Sequence, residues 1–338
     1  MNILIVKLSA IGDIIHALPV SHALRQKYPD AHITWVVEPT GLEIVQHNPC
    51  VDEIVLFQKK AFKTLHGFKE NFKPLRRKLH ERSYDVSIDL QGLFKSAAVV
   101  LAAGAKRRIG CADMREGSGL ISHPVRGQHS SGHIVDRNLD AAAALGCDIE
   151  HVVFPLENTP EEIRSAAALL QKYGIDEGSR FVVFAVGTNW PNKCWAPSYF
   201  AELADLLEQF GIKVVLAGFG PDDEQRAVSI IHNSQRGDIV NLVGMTSLMQ
   251  TAAVMRRACS VVGGDTGNLH MAAALGRPAV MLMGPTDPVR NGPYNQRYNV
   301  ITAGHECDGC WKRRCRKNID CLSVIKPETV LEKIVYNL

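Results

Sequence analysis

Several short segments combine residue types that can do chemistry, and each stands between an apolar run and a helical pattern. The first is Ser9-Ala10-Ile11-Gly12-Asp13, directly after NILIVKL. Gly12 permits a tight turn with close backbone approach. Asp13 falls where the helical pattern starts, so its carboxylate can take a proton or cap the helix. Capping is the plainer reading, because Asp is favoured there and a helix N-terminus favours negative charge. No G-x-G-x-x-G occurs in this turn, which argues against a dinucleotide-dependent oxidoreductase.

The second segment is Gly264-Asp265-Thr266-Gly267-Asn268-Leu269-His270, again between a strand and a helix pattern. Small residues here expose backbone N–H groups to a phosphate at a helix N-terminus. Thr266 adds a hydroxyl, and His270 lies one helical turn further on. The alternative is a capped helix start with a hydrogen-bonded histidine. The third runs from Gly187 through Thr188, Asn189, Trp190, Pro191, Asn192, Lys193 and Cys194 to Trp195, after FVVFAV. A lysine at such a mouth can neutralise a pyrophosphate. Trp195 reads as a packing anchor or a stacking surface. The fourth, Gly284-Pro285-Thr286-Asp287-Pro288, is equally consistent with a plain loop. Four cysteines follow in a short stretch: Cys307, Cys310, Cys315 and Cys321. Their spacing allows a tetrahedral zinc or iron–sulfur site, a redox-sensitive pair, or simple reduced thiols.

Apolar runs and helical patterns alternate around these segments. NILIVKL, AHITWVV, VDEIVLF and YDVSIDL read as buried strands, with helices between them. Pro19 is expected to bend or break the helical stretch after Asp13. The pattern restarts after residue 158, with a helix opened by Thr159 and Pro160. FVVFAV, IKVVLAG, DIVNLV, SVVGG and PAVMLMG read as further strands. Such alternation predicts an α/β chain of two doubly wound domains, with ligands beyond the carboxyl ends of the strands in a cleft between them. The expected boundaries are 1–157, 158–325 and a terminal helix over 326–338.

A length of 338 residues suits two domains, and 46% hydrophobic with 22% charged residues is ordinary for a globular chain. No apolar run approaches the roughly 20 residues of a membrane span, and the start lacks the pattern of a secretory signal. A cytoplasmic location, with the nine cysteines mostly reduced, is therefore expected. The net charge is +3, and the stretch QKKAFKTLHGFKENFKPLRRKLHER is densely basic. It reads equally as a surface for an anionic partner and as the solvated face of a helix that packs Phe62, Leu65, Phe68 and Phe72.

Together the motifs resemble the heptosyltransferases of glycosyltransferase family 9. The resemblance runs through ILIVKLSAIGDIIHALP, WVVE, SYDVSIDLQGLFKSA, Lys193-x-Trp195, GGDTGNLH and AAALGRPAVMLMGPTDP. It implies a GT-B fold, with an acceptor-binding N-terminal Rossmann-like domain and a nucleotide-sugar-binding C-terminal one. It also implies an inverting transfer of L-glycero-D-manno-heptose from ADP-heptose to the Kdo region of the lipopolysaccharide inner core, with no metal or cofactor required. The resemblance makes Asp13 the general base. A helix N-terminus stabilises its carboxylate, so it would act late, as charge develops on the attacking oxygen. Lys193 and Thr188 would meet the donor diphosphate, with Asn189 beside them. Asp265, Thr266, Gly267 and His270 fall on the donor segment, and Asp223 and Thr246 near ribose and adenine. Lys95, Arg115, His133 and Arg137 match acceptor positions, and Lys59, Lys60 and Lys63 suit an anionic Kdo-lipid. No thiol chemistry is implied, so the cysteines would hold a structural metal, form a disulfide or stay reduced.

Two other readings stay open. One is a different GT-B transferase or a nucleotide-sugar epimerase. The other is a two-lobed solute-binding protein, against which the missing signal and the placement of Asp13, Lys193 and Asp265 argue. Nucleic acid is not an expected partner, and membrane contact would be peripheral, at the cytoplasmic face of the inner membrane.

Overall fold

The computed structural model describes residues 1–62, 65–236 and 238–338. The chain divides into two compact units, Met1–Glu157 and Asn158–Leu338. In the first, β1 (Asn2–Val6) leads into α1 (Ile11–Ile15) and α2 (Leu18–Lys27). Pro19 opens α2 rather than bending a single helix. In the first helical turn its missing N–H removes no intrahelical bond. Then follow β2 (His32–Val37), α3 (Leu42–Val45), β3 (Glu53–Leu56) and α4 (Leu65–Leu79). The unit closes with β4 (Val86–Asp89), α5 (Phe94–Ala103), β5 (Arg107–Gly110), β6 (His123–Pro124) and α6 (Ile134–Ala143).

The strands of this unit pair in parallel in the order β3-β2-β1-β4-β5-β6. A parallel sheet covered on both faces buries nearly every strand position, which is why NILIV is almost continuously apolar and HITWVV buries even its Thr34. Leu4, Val6, Val36 and Val55 pack with Leu79, Val99 and Val100, and Phe62 and Phe72 lie against this core. The basic stretch is thus a helix with two faces. It buries Leu75 and Leu79 and exposes Lys73, Arg76 and Arg77. The side chains of Lys60, Leu65 and Phe68, and all of Lys63, fall outside the described residues.

The second unit opens with α7 (Pro160–Lys172), capped as its sequence predicts. Glu162 N donates to Thr159 Oγ1 (3.2 Å) and Thr159 N to Glu162 Oε2 (2.8 Å). Next come β7 (Phe181–Ala185), α8 (Pro197–Glu208), β8 (Lys213–Ala217), α9 (Pro221–Asn233), β9 (Ile239–Asn241) and α10 (Leu248–Arg257). After them stand β10 (Ser260–Gly264), α11 (Gly267–Ala274), β11 (Ala279–Met283), α12 (Pro288–Asn291), β12 (Val300–Thr302) and α13 (Pro327–Tyr336). The sheet order is β12-β11-β10-β7-β8-β9, again parallel. Numbered within its own unit, each sheet runs 3-2-1-4-5-6, the order of a dinucleotide-type Rossmann sheet. The chain is therefore α/β with two Rossmann-like units, the GT-B plan. The terminal helix α13 packs Val330 and Ile334 into the core of the second unit.

In such a sheet the strand order reverses beside the first strand, and the loops leaving the two flanking strands diverge there to open a crevice. The switch points are β1/β4 in the first unit and β7/β10 in the second. Asp13 follows β1, Lys193 follows β7 and Asp265 follows β10.

Candidate active site

In the first unit the turn after β1 is held by side chains from two other loops. Leu8 N and Ser9 N both donate to Gln91 Oε1 at 3.0 Å. Gln91 follows β4 across the switch point. Lys95, in the first turn of α5, donates from Nζ to Glu38 Oε1 (2.6 Å) and to Ser9 Oγ (2.9 Å). Asp13 is not the N-cap, which is Ala10, but its side chain ties off the helix start from the third helical position. It sits within α1, and its Oδ2 accepts the Ala10 N–H at 3.1 Å. Its other oxygen accepts no protein hydrogen bond among the described residues, and the residue is partly exposed.

The other residues expected to meet the acceptor lie elsewhere in the first unit. His133 caps α6 by accepting the Val135 N–H at Nδ1 (3.2 Å), and its ring meets that of His16 edge-on at 5.6 Å. Arg137 donates to Gly132 O (2.8 Å) and pairs with Asp113 (2.9 Å). Arg115 is exposed beside Gly92, whose carbonyl accepts the Arg115 N–H at 2.8 Å. Lys59 is exposed in a 3-10 turn after β3, an edge strand, and no contact joins it to the others among the described residues.

In the second unit, residues from the β7 and β10 loops form one tight cluster. Lys193 Nζ donates to Asp265 Oδ2 at 2.6 Å and lies 4.2 Å from the centre of the Trp190 ring. His270 Nε2 lies 2.9 Å from Asp265 Oδ1, and an ionised carboxylate can only accept, so the imidazole donates. Burial disfavours the charged carboxyl, but the hydrogen bond and charge of His270 and the charge of Lys193 outweigh it. Together they hold Asp265 well below the usual carboxylate range. Both Asp265 oxygens are thus committed to neighbours. Close approach of the loops requires Gly264, since a Cβ there would collide with the Lys193 carbonyl oxygen. Thr266 is the cap of α11, so the N–H groups of Gly267 and Asn268 have no intrahelical acceptor.

The other residues expected to meet the donor follow strands of the same sheet. Thr188 Oγ1 donates to Trp190 O at 2.7 Å, which shapes the loop, while Asn189 is exposed. Asp223 fills the space over Gly187 and Gly218, where any Cβ would strike its carboxyl group. It accepts the Phe219 N–H at 2.9 Å, yet burial still raises its pKa. Thr246 follows β9 and shares a 2.8 Å hydrogen bond with Thr251. Trp195 is a packing anchor: it is buried and donates to Ile325 O at 3.0 Å.

One sheet edge therefore offers a half-committed carboxylate. The other offers a pre-placed ammonium and a helix N-terminus suited to a diphosphate. Residues 73–319 match the family described as glycosyltransferase family 9 (heptosyltransferase). The chain belongs to glycosyltransferase family 9. It is 31% identical to lipopolysaccharide heptosyltransferase 1 of Escherichia coli (strain K12), over 90% of this chain and 95% of that one. The E. coli heptosyltransferase WaaC, solved with ADP, superposes with a TM-score of 0.76 at 29% identity, covering all of both chains. The same enzyme solved with ADP-2-deoxy-2-fluoro heptose gives 0.73 at 29% identity, with the same coverage.

Within this family member, the cysteine-rich segment braces the loops of the second unit. Gly309 N donates to Gly284 O and Trp311 N to Pro285 O, both at 2.7 Å, and Asn192 Nδ2 donates to Lys312 O at 2.6 Å. Cys307, Cys310, Cys315 and Cys321 are free thiols. Among the described residues no group of three or more His, Cys, Asp or Glu is arranged to hold a metal ion. The spacing does not by itself build the zinc or iron–sulfur site it allows.

Glu38, Gln91 and Trp190 received no role from the sequence. A charged residue ending the buried run HITWVV was the available signal for Glu38. Nothing in the spacing points to Gln91. Trp190 lies three residues before Lys193, but only the 3-10 turn at Pro191–Lys193 brings its ring under the ammonium.

Proposed function

We propose that this glycosyltransferase moves L-glycero-D-manno-heptose from ADP-heptose to the Kdo region of the lipopolysaccharide inner core, with inversion at the anomeric carbon. The carrying observation is the Lys193–Asp265–Trp190 cluster at the α11 N-terminus, a ready counter-charge for a leaving diphosphate. The likeness to an enzyme solved with ADP and with ADP-2-deoxy-2-fluoro heptose supports that donor. The first unit takes the acceptor and the second the nucleotide sugar.

In the reaction the acceptor hydroxyl oxygen attacks the anomeric carbon, and Asp13 accepts its proton late, as charge develops on that oxygen. The bond from the anomeric carbon to the diphosphate breaks, and ADP leaves with the electron pair. Lys193 and the N–H groups opening α11 offset the growing charge, with Thr188 and Thr266 beside them. Preorganised donors of this kind need little rearrangement during the reaction. Asp265 and His270 keep the lysine in place until the diphosphate competes for it. Asp223 and Thr246 serve the nucleoside. Arg115, His133 and Arg137 serve the anionic acceptor. The basic face that includes Lys59 meets the cytoplasmic face of the inner membrane. No helix among the described residues is long and apolar enough to cross a membrane.

The test is a mass-spectrometric transfer assay with Kdo2-lipid A, comparing ADP-heptose with UDP-sugars. Transfer from ADP-heptose alone is expected. Activity only with another donor would overturn the substrate. Asp13→Ala should fold and bind ADP normally but lose transfer by about 10²–10⁴-fold. Near-normal turnover would remove Asp13 from the mechanism.

A further inference from the structure

Glu38 has no place in the chemistry above, yet its side chain is among the most enclosed of the charged groups near the Asp13 turn. It stands directly after β2, and its backbone N–H donates to Leu8 O at 3.0 Å, where the chain leaves β1. Its side chain is only 11% exposed. A single oxygen, Oε1, accepts both Lys95 Nζ (2.6 Å) and Ser9 Oγ (3.2 Å). Lys95 Nζ also donates to Ser9 Oγ (2.9 Å), so the three groups close a triangle. The next residue, Ala10, gives its N–H to Asp13 Oδ2. Contacts therefore run without a gap from Glu38 and Lys95 through Ser9 and Ala10 to the Asp13 carboxylate.

A largely buried ion pair is weak evidence for stability, because an apolar pair of similar size would often serve as well. The same pair fixes direction, since a carboxylate and an ammonium sharing a hydroxyl tolerate few arrangements. Gln91 already supports the turn through the Leu8 and Ser9 N–H groups. It does not reach the Ser9 side chain, which among the described residues only Glu38 and Lys95 hold. Lys95 holds both members of the triangle, so its ammonium is part of what orients the turn.

We propose that Glu38 and Lys95 act as one positioning pair that sets the Ser9–Asp13 turn, and with it the Asp13 carboxylate, for proton removal. This rests on the reading of Asp13 as base. Misplacing a reacting group by about 1 Å can lower the rate on the order of 10²-fold. Glu38→Ala and Lys95→Met should each lower kcat to about that extent, with ADP affinity and acceptor KM within about threefold of the parent. Because the two act together, the double variant should be no worse than the poorer single one. Glu38→Gln, which keeps an oxygen for both partners, should recover part of the loss.

Steady-state kinetics with ADP-heptose and Kdo2-lipid A on the full chain, with ADP titrations, decide the matter. Asp13→Asn is measured alongside. If Asp13→Asn keeps turnover, the base reading fails and the proposal falls with it. If Asp13→Asn is dead while Glu38→Ala and Lys95→Met keep normal kcat, the positioning role alone is overturned. A loss carried wholly by acceptor KM, or multiplicative effects in the double variant, overturns it as well. Should Glu38→Ala not fold, Glu38→Gln and Ser9→Ala carry the same comparison. Reduced kcat at unchanged KM supports the proposal, and normal kcat in both ends it.

Discussion

Asp13 differs from the other carboxylates at the edge of the first sheet in how much of its hydrogen-bonding capacity is committed. Asp89 is fully buried and accepts Gln91 N–H, Gly92 N–H and the Ser96 hydroxyl. Glu38 is held by Lys95 and Ser9. Asp13 accepts one peptide N–H. A group that must receive a proton needs a free oxygen, and among these three only Asp13 combines one with partial exposure. Thiol chemistry separates by residue in the same manner. Burial and the neighbouring Cys315, Cys310 and Cys307 push the Cys321 thiol up to about 11, and burial pushes Cys147 to about 11 too. Backbone hydrogen bonds from Ile319 and Lys317 instead lower Cys315. Because the thiolate is the nucleophile, iodoacetamide at pH 8 should alkylate Cys315 first and Cys321 and Cys147 last. Peptide mass spectrometry over a time course reads the order, and early labelling of Cys321 would contradict it.

At the scale of elements, the loops leaving β7 and β10 act as one piece because Gly264 lets them touch. A methyl group at Gly264 would meet the Lys193 carbonyl oxygen, and backbone is not easily displaced. Gly264→Ala should therefore shift the Lys193 loop, destabilise the second unit by about 1–3 kcal/mol, and weaken ADP binding by roughly tenfold. Calorimetric titration with ADP checks it, and unchanged affinity would show that the loop yields without moving Lys193. This contact also marks how far the sequence could be read. The strands NILIV and FVVFA are legible because parallel strands buried on both faces are near-continuous apolar runs, and HITWVV because its β-branched and aromatic residues dominate. The strand RRIG is not, since two of its four residues are exposed arginines and it lies towards the sheet margin. The two- and three-residue strands HP and VIT are too short for any periodicity. Asp13, Lys193 and Asp265 are legible as polar residues placed just after apolar runs. Which side chains meet is not. Lys193 is 72 residues from Asp265 and Lys95 is 57 from Glu38, and only the 3-2-1-4-5-6 winding makes these loops neighbours.

At the scale of the whole molecule, each unit has its own core. Leu4, Val6, Leu79 and Val99 belong to one, and Phe184, Trp195, Leu216 and Ile334 to the other. The proposed function places the nucleotide groups in the second unit, so stability and ligand binding should separate along the chain. Leu79 is fully buried where α4 meets the first sheet, so Leu79→Ala should destabilise that unit by about 2–5 kcal/mol. It should leave the ADP affinity within about threefold, since none of the Lys193–Asp265 cluster depends on it. Conversely, ADP at about 100 times its Kd should stabilise the second unit by about 2.7 kcal/mol. Hydrogen exchange read by mass spectrometry tests both halves at once. Leu79→Ala should speed exchange in β1, β2 and α4, and ADP should slow it around residues 187–195 and 264–270. If ADP restored protection to the α4 segment of Leu79→Ala as strongly as to the Lys193 loop, the two cores would unfold as one. The nucleotide would then stabilise the whole chain rather than the unit that holds it.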